Sequence, residues 1–191
     1  PSSITVEPDW SAAAFFYEMA ALAQGAELEL PDLSGDSLQG DSKVMELFQP
    51  LGVSTKINEQ GVVIKKVEGT QMREVNVDFS QHPDLAQAAC VTCAGLGILG
   101  TFSGMDSLSL KETDRIKALR QELRKIKIDL YPMPVMSGFG PESIPEHSGQ
   151  VYRLEGNPLF DKGISFHTYN DHRMAMCLAP LALLTDIELD E

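Results

Sequence analysis

Three short stretches set acids beside cations or imidazoles. Ser109-Leu-Lys-Glu-Thr-Asp-Arg115 packs two cations and two carboxylates into seven residues, and Tyr169-Asn-Asp-His-Arg-Met-Ala-Met-Cys177 lines up an acid, an imidazole and a guanidinium. His82-Pro83-Asp84 adds a further carboxylate next to an imidazole. Each stretch reads as the start of a helix, where unpaired backbone N–H groups and the helix dipole draw in anions. Lys111 and Arg115 add two mobile positive charges to that field. Capping and solubility account for any one such stretch taken alone; the return of acid and cation at a second helix start is what favours a site.

The elements that must hold these residues follow from periodicity. Ile116, Leu119, Leu123 and Ile126 recur at helical spacing, so the charged stretch opens a helix with one buried face. Ser109 followed three residues later by Glu112 fits a capping box with Ser109 as N-cap, and on that register Glu112 and Arg115 lie one turn apart on the same side. Asp9, Asp84 and Asp171 each lead a helix, over 10–22, 85–98 and 171–184, and take equivalent places; capping accounts for Asp9, while Asp84, after His82-Pro83, and Asp171, before His172-Arg173, have further chemistry beside them. Pro180 should kink the last of these or begin its final turn.

Strands are expected at 2–6, 26–30, 53–57, 62–66, 75–78, 128–131, 150–154, 164–167 and 187–189 and a strand or turn at 100–105, with a hairpin around Glu59-Gln-Gly61 and a further helix over 41–51 closed by Gly52. Strand, Asp-led helix, strand, polar-led helix and hairpin thus appear twice complete and once halved, an internal repeat in an α/β chain. The proline- and glycine-rich segment 132–148 reads as a surface loop, and no linker divides residues 1–191, so one domain is expected.

Composition narrows the function. The apolar runs Ala88–Leu99 and Met174–Leu184 are too short to span a bilayer and read as buried helices. A net charge of −13 argues against nucleic acid or an anionic membrane as partner. Three cysteines, an odd number, point to a reducing compartment such as the cytoplasm, and Cys90 and Cys93 in a small-residue helix read as core thiols. His82, His147, His167 and His172 show no ligand spacing, so no metal is expected. A first residue that is proline, and an end directly after an apolar strand, suggest a piece of a longer chain.

Lys111-Glu-Thr-Asp-Arg115, Tyr169-Asn-Asp-His-Arg-Met-Ala-Met-Cys177, His82-Pro-Asp84, Val6-Glu-Pro-Asp-Trp-Ser-Ala-Ala-Ala14 and Leu38-Gln-Gly-Asp41 occur in the order of the C-terminal half of one family. Over nearly its whole length the chain resembles EPSP synthases (3-phosphoshikimate 1-carboxyvinyltransferases). The resemblance implies repeated βαβαββ units forming one domain of the enolpyruvyl transferase fold, an inside-out α/β barrel. It also implies transfer of enolpyruvyl from phosphoenolpyruvate to the 5-hydroxyl of shikimate 3-phosphate with release of phosphate, and no cofactor. The missing N-terminal domain, with its basic and serine-rich segments, would hold the shikimate phosphate, so the 191-residue piece is expected to be inactive alone.

By the same resemblance Asp84 matches the base on the 5-hydroxyl, Lys111 a lysine that contacts that hydroxyl, and Glu112 an acid exchanging a proton with the methylene carbon. Arg115, His172 and Arg173 match residues around the phosphate and carboxylate of phosphoenolpyruvate. Where the family has an asparagine shortly before the lysine, Ser107 or Ser109 stands here. Two other readings are an enolpyruvyl transferase acting on a UDP-sugar, which normally lacks the K-E-T-D-R and N-D-H-R pair, and a non-catalytic anion-binding module, which has no need of an acid and a base.

Overall fold

Two kinds of helix organise the computed structural model, which describes residues 6–69, 71–134 and 149–191. Helix α3 (Ala86–Leu96) is built from alanine, cysteine, glycine and other small residues and is buried on all sides from Ala86 to Gly95, as a helix without a polar face must be. Helix α4 (Arg115–Lys125) is amphipathic. Ile116, Leu119 and Leu123 face the core, and Ile126 just beyond its end is also buried. Helices α1 (Trp10–Leu22) and α5 (His172–Leu178) pack with α3 and put Trp10, Tyr17, Met174 and Cys177 into the same core.

Three sheets surround these helices. The first is antiparallel, in the order β1 (Glu27–Pro31), β3 (Gly61–Lys66), β2 (Val53–Asn58). The second runs β4 (Glu74–Asp78), β5 (Leu99–Ser103), β7 (Tyr152–Gly156), β6 (Ile128–Pro132). Within it β5, β7 and β6 repeat the order and the antiparallel pairing of β1, β3 and β2, while β4 lies parallel to β5 across the crossover through α3. The third sheet pairs β8 (Ile164–His167) in parallel with β9 (Ile187–Asp190) across α5, as α3 joins β4 to β5. Residues 2–5 of the strand expected at 2–6 and most of the loop at 132–148, with His147, lie outside the described residues.

Several expectations need correction. Residues 41–51 are not one helix but a 3-10 turn at Gly40–Lys43, a single α turn α2 (Val44–Leu47) and a 3-10 turn at Gln49–Leu51. Pro50 has no N–H to continue the α ladder. Gly52, at φ +90°, does close the segment. The last helix changes from α to 3-10 at Ala179, one residue before Pro180, as that proline requires.

The capping box at Ser109 does not form. Residues 106–110 make a 3-10 turn pinned by the fully buried Met105 and Leu108, and the Ser109 hydroxyl donates to the Asp106 carbonyl at 2.7 Å. Helix α4 starts at Arg115, with Asp114 as N-cap accepting from the Lys117 N–H at 3.0 Å. Nor are the three aspartates equivalent. Asp9 caps α1 by accepting from Ser11, and Asp171 caps α5 by accepting from Arg173 and Met174. Asp84 instead sits within a 3-10 turn (Pro83–Leu85), and the residue at the α3 cap position is Leu85.

Candidate active site

Freed from capping, the Asp84 carboxylate meets cations from three directions. Lys111 Nζ lies 3.3 Å and Arg115 Nη1 3.6 Å from Oδ1, and Arg173 Nη2 lies 3.7 Å from Oδ2. Oδ1 is shut off from solvent and has no hydrogen-bond partner among the described residues. The Asp84 side chain as a whole remains 27% exposed, so a hydroxyl can approach only through Oδ2.

The loop that carries Asp84 is tied down before it reaches the site. The Asp78 carboxylate at the end of β4 accepts from the Ser80 hydroxyl at 2.6 Å and from Ser103 at the end of β5 at 3.1 Å. Burial pushes that carboxyl up, but these bonds and the Ser80 N–H hold it below the usual carboxylate range. Gly104, at φ +69°, lets β5 turn away where a Cβ would stand 2.2 Å from the Ser80 nitrogen.

Arg115 is the hub, and it is not mobile. Its side chain is 1% exposed. Nε donates to Asp171 Oδ2 at 2.8 Å, and Nη2 donates to Glu112 Oε2 at 2.5 Å and to Asp171 Oδ1 at 3.3 Å. Two guanidinium donors on one carboxylate fix the plane of the fork. Burial pushes the Asp171 carboxyl up, yet the Arg115 bonds and charge, with the N–H groups of Arg173 and Met174, bring it below its ordinary value. Asp171 is presented by a tight turn in which the Asp171 N–H donates to the Thr168 carbonyl, with Tyr169 and Asn170 both at positive φ. Tyr169 tolerates that conformation because its hydroxyl donates to the buried Glu122 at 2.7 Å.

The structure therefore brings Asp84, Lys111, Glu112, Arg115 and Arg173 together at the starts of α3, α4 and α5. It does not bring His172 into that network. His172 is exposed, and its side chain has no hydrogen bond or ion pair among the described residues. Asp171, read from the sequence as a cap with chemistry nearby, is both cap and clamp. The signal available was its place between Asn170 and His172-Arg173; its reach to Arg115, 56 residues away, was not. Ser107 and Ser109 are exposed, and neither contacts the cluster.

The EPSP synthase (3-phosphoshikimate 1-carboxyvinyltransferase) family model matches residues 1–190. The chain belongs to that family. It is 42% identical over 188 residues to the 3-phosphoshikimate 1-carboxyvinyltransferase of Bacteroides fragilis, covering 98% of this chain and 42% of that protein. It is 28% identical over 185 residues to the enzyme of the same name from Photobacterium damsela subsp. piscicida, covering 96% of this chain and 38% of the relative. A solved structure of EPSP synthase from Acinetobacter baumannii superposes with a TM-score of 0.67 at 23% identity, over 95% of this chain and 41% of that one, which establishes the enolpyruvyl transferase fold. The chain thus spans less than half the length of the EPSP synthases it matches.

Chemically, the cluster offers one partly open carboxylate among three cations, and a second acid, Glu112, half exposed at the rim. Arg173 Nη1 is enclosed without a hydrogen-bond partner among the described residues, a donor still unmatched. Such a site can orient a hydroxyl at Asp84 and hold an anion against Lys111 and Arg173.

Proposed function

We propose that this chain is the C-terminal, substrate-binding domain of an enzyme that transfers enolpyruvyl from phosphoenolpyruvate to the 5-hydroxyl of shikimate 3-phosphate, releasing phosphate. The observation that carries the reading is the Asp84 carboxylate, free of any capping bond and ringed by Lys111, Arg115 and Arg173, in a chain of this family.

In this reading Asp84 Oδ2 takes the proton of the 5-hydroxyl as its oxygen bonds to C2 of phosphoenolpyruvate, and Lys111 orients that hydroxyl. Glu112 supplies a proton to the methylene carbon and recovers it when the double bond re-forms, and phosphate leaves with the proton that Asp84 took from the hydroxyl. Arg173, with His172 free to turn inward, holds the phosphate and carboxylate, and Arg115 keeps the acids in place while adding charge beneath them. A base, an acid and fixed positive charge are what addition at C2 followed by loss of phosphate requires. The second wall comes from the N-terminal domain of the same protein.

The test is Asp84→Asn in the full-length parent. The amide keeps the shape and cannot take a proton, so turnover should fall about 10²–10⁴-fold with little change in substrate affinity. Near-normal turnover would exclude Asp84 as the base.

A further inference from the structure

Where α1, α3 and α5 meet, the core holds a carboxyl that nothing pairs. Glu18 of α1 is 0% exposed, and both its oxygens lack a hydrogen-bond partner among the described residues. The titratable groups that feel its charge are thiols: Cys90 and Cys93 of α3 and Cys177 of α5, all three cysteines of the chain.

The charged groups on the elements around α1 are engaged elsewhere. Lys66 of β3 reaches the Ala21 carbonyl, Lys65 pairs with Glu27 and Lys43 with Glu46, and Asp41 accepts from Ser11. At the starts of α3 and α5, Arg173 and Lys111 face Asp84 and His172 is exposed, and Glu29 of β1 and Lys56 of β2 are exposed as well. A carboxylate stripped of water without a partner is far costlier than the neutral acid.

We propose that Glu18 makes the packing of α1, α3 and α5 proton-linked: folding takes up one proton there, and alkali loosens the three-helix centre. An unfolded glutamate ionises near about pH 4.3. Burial pushes the folded Glu18 carboxyl well above its ordinary value, and pushes the thiols up as well, Cys93 to about 12. Between the unfolded and folded ionisations the folded chain holds one more proton, so stability falls as pH rises. The folding constant drops about tenfold per pH unit, or about 1.4 kcal/mol. Two of the three loosened helices, α3 and α5, carry Asp84, Asp171 and Arg173 at their starts.

Denaturant unfolding of this chain and its Glu18→Gln variant, compared from mildly acid to mildly alkaline pH, reads the effect directly. His82, which burial pulls below its ordinary value and which titrates with the opposite sign, cancels in the comparison. The variant's folding constant relative to the parent's should climb about tenfold per pH unit. Infrared spectra of the parent at neutral pH should show the C=O stretch of a protonated carboxylic acid, lost in Glu18→Gln or, if that variant does not fold, in Glu18→Met. A ratio independent of pH, or a parent with only carboxylate bands at neutral pH, would overturn the proposal.

Discussion

Arg115 and Arg173 carry the same charge and lie against the same carboxylate, but their surroundings assign them different work. Arg115 is 1% exposed and its fork is committed to Asp171 and Glu112, whereas Arg173 is 18% exposed and its one ion pair among the described residues is at 3.7 Å. Lysine in place of Arg115 keeps the charge and loses the two-point grip. At about 1.5–3 kcal/mol for lost charge-assisted bonds, the Arg115→Lys variant should melt several degrees lower, about 2–4 °C per kcal/mol for a chain of this size. Arg173→Lys should leave the melting temperature nearly unchanged and weaken phosphoenolpyruvate binding in the full-length parent. Calorimetry with shikimate 3-phosphate present checks the second claim. Unchanged affinity would remove Arg173 from the site, and unchanged melting in Arg115→Lys would remove the hub.

At the scale of elements, α4 decides where the acid-and-cation stretch goes. Because the helix begins at Arg115, Lys111 and Glu112 ride on a non-helical lead-in rather than on a rigid first turn. That geometry lets Lys111 reach Asp84 on one side while Glu112 meets Arg115 on the other. The two candidate caps can be told apart by mutation. Asp114→Ala should destabilise the chain by about 1 kcal/mol, the usual worth of an N-cap, while Ser109→Ala should change stability by only a few tenths. Equal losses measured by urea unfolding would restore Ser109 as a cap.

For the whole molecule, the buried residues form a single cluster to which α1, α3, α4 and α5 and strands of all three sheets contribute. Exposed large apolar residues such as Leu38 and Leu110 add little to a binding seam on their own. We expect the 191-residue chain to unfold cooperatively on its own. Catalysis is a different demand. Holding two anionic substrates together in a water-poor cleft is worth up to about 7–11 kcal/mol, and one open wall cannot supply it. Set against the cost of immobilising a ligand, a few charge-assisted contacts leave millimolar phosphoenolpyruvate binding at best. Calorimetric melting and a phosphate-release assay test both halves: turnover by this chain would contradict the half-site reading, and a non-cooperative melt would contradict an autonomous domain.

Elements whose stabilising partners are near in sequence were legible from residue order. The α4 stripe from Ile116 to Ile126, the hairpin of β2 and β3, and the change of helix type at Pro180 depend on periodicity and on proline and glycine chemistry within a few residues. The motifs also marked Asp84, Lys111, Glu112, Arg115, His172 and Arg173 as a group, of which all but His172 meet in the fold. Tertiary structure decided what each does. Ser109 and Asp114 both have capping chemistry, and burial of Met105 and Leu108 against the core selected Asp114. Arg115 passes in sequence for a mobile surface charge; only a carboxylate 56 residues away, at the head of another helix, makes its burial affordable. Glu18 is one acid in a helix of small and aromatic residues, and only the packing of α1 against α3 and α5 buries it. Burial and charge pairing are sums over residues distant in the chain, which local sequence does not contain.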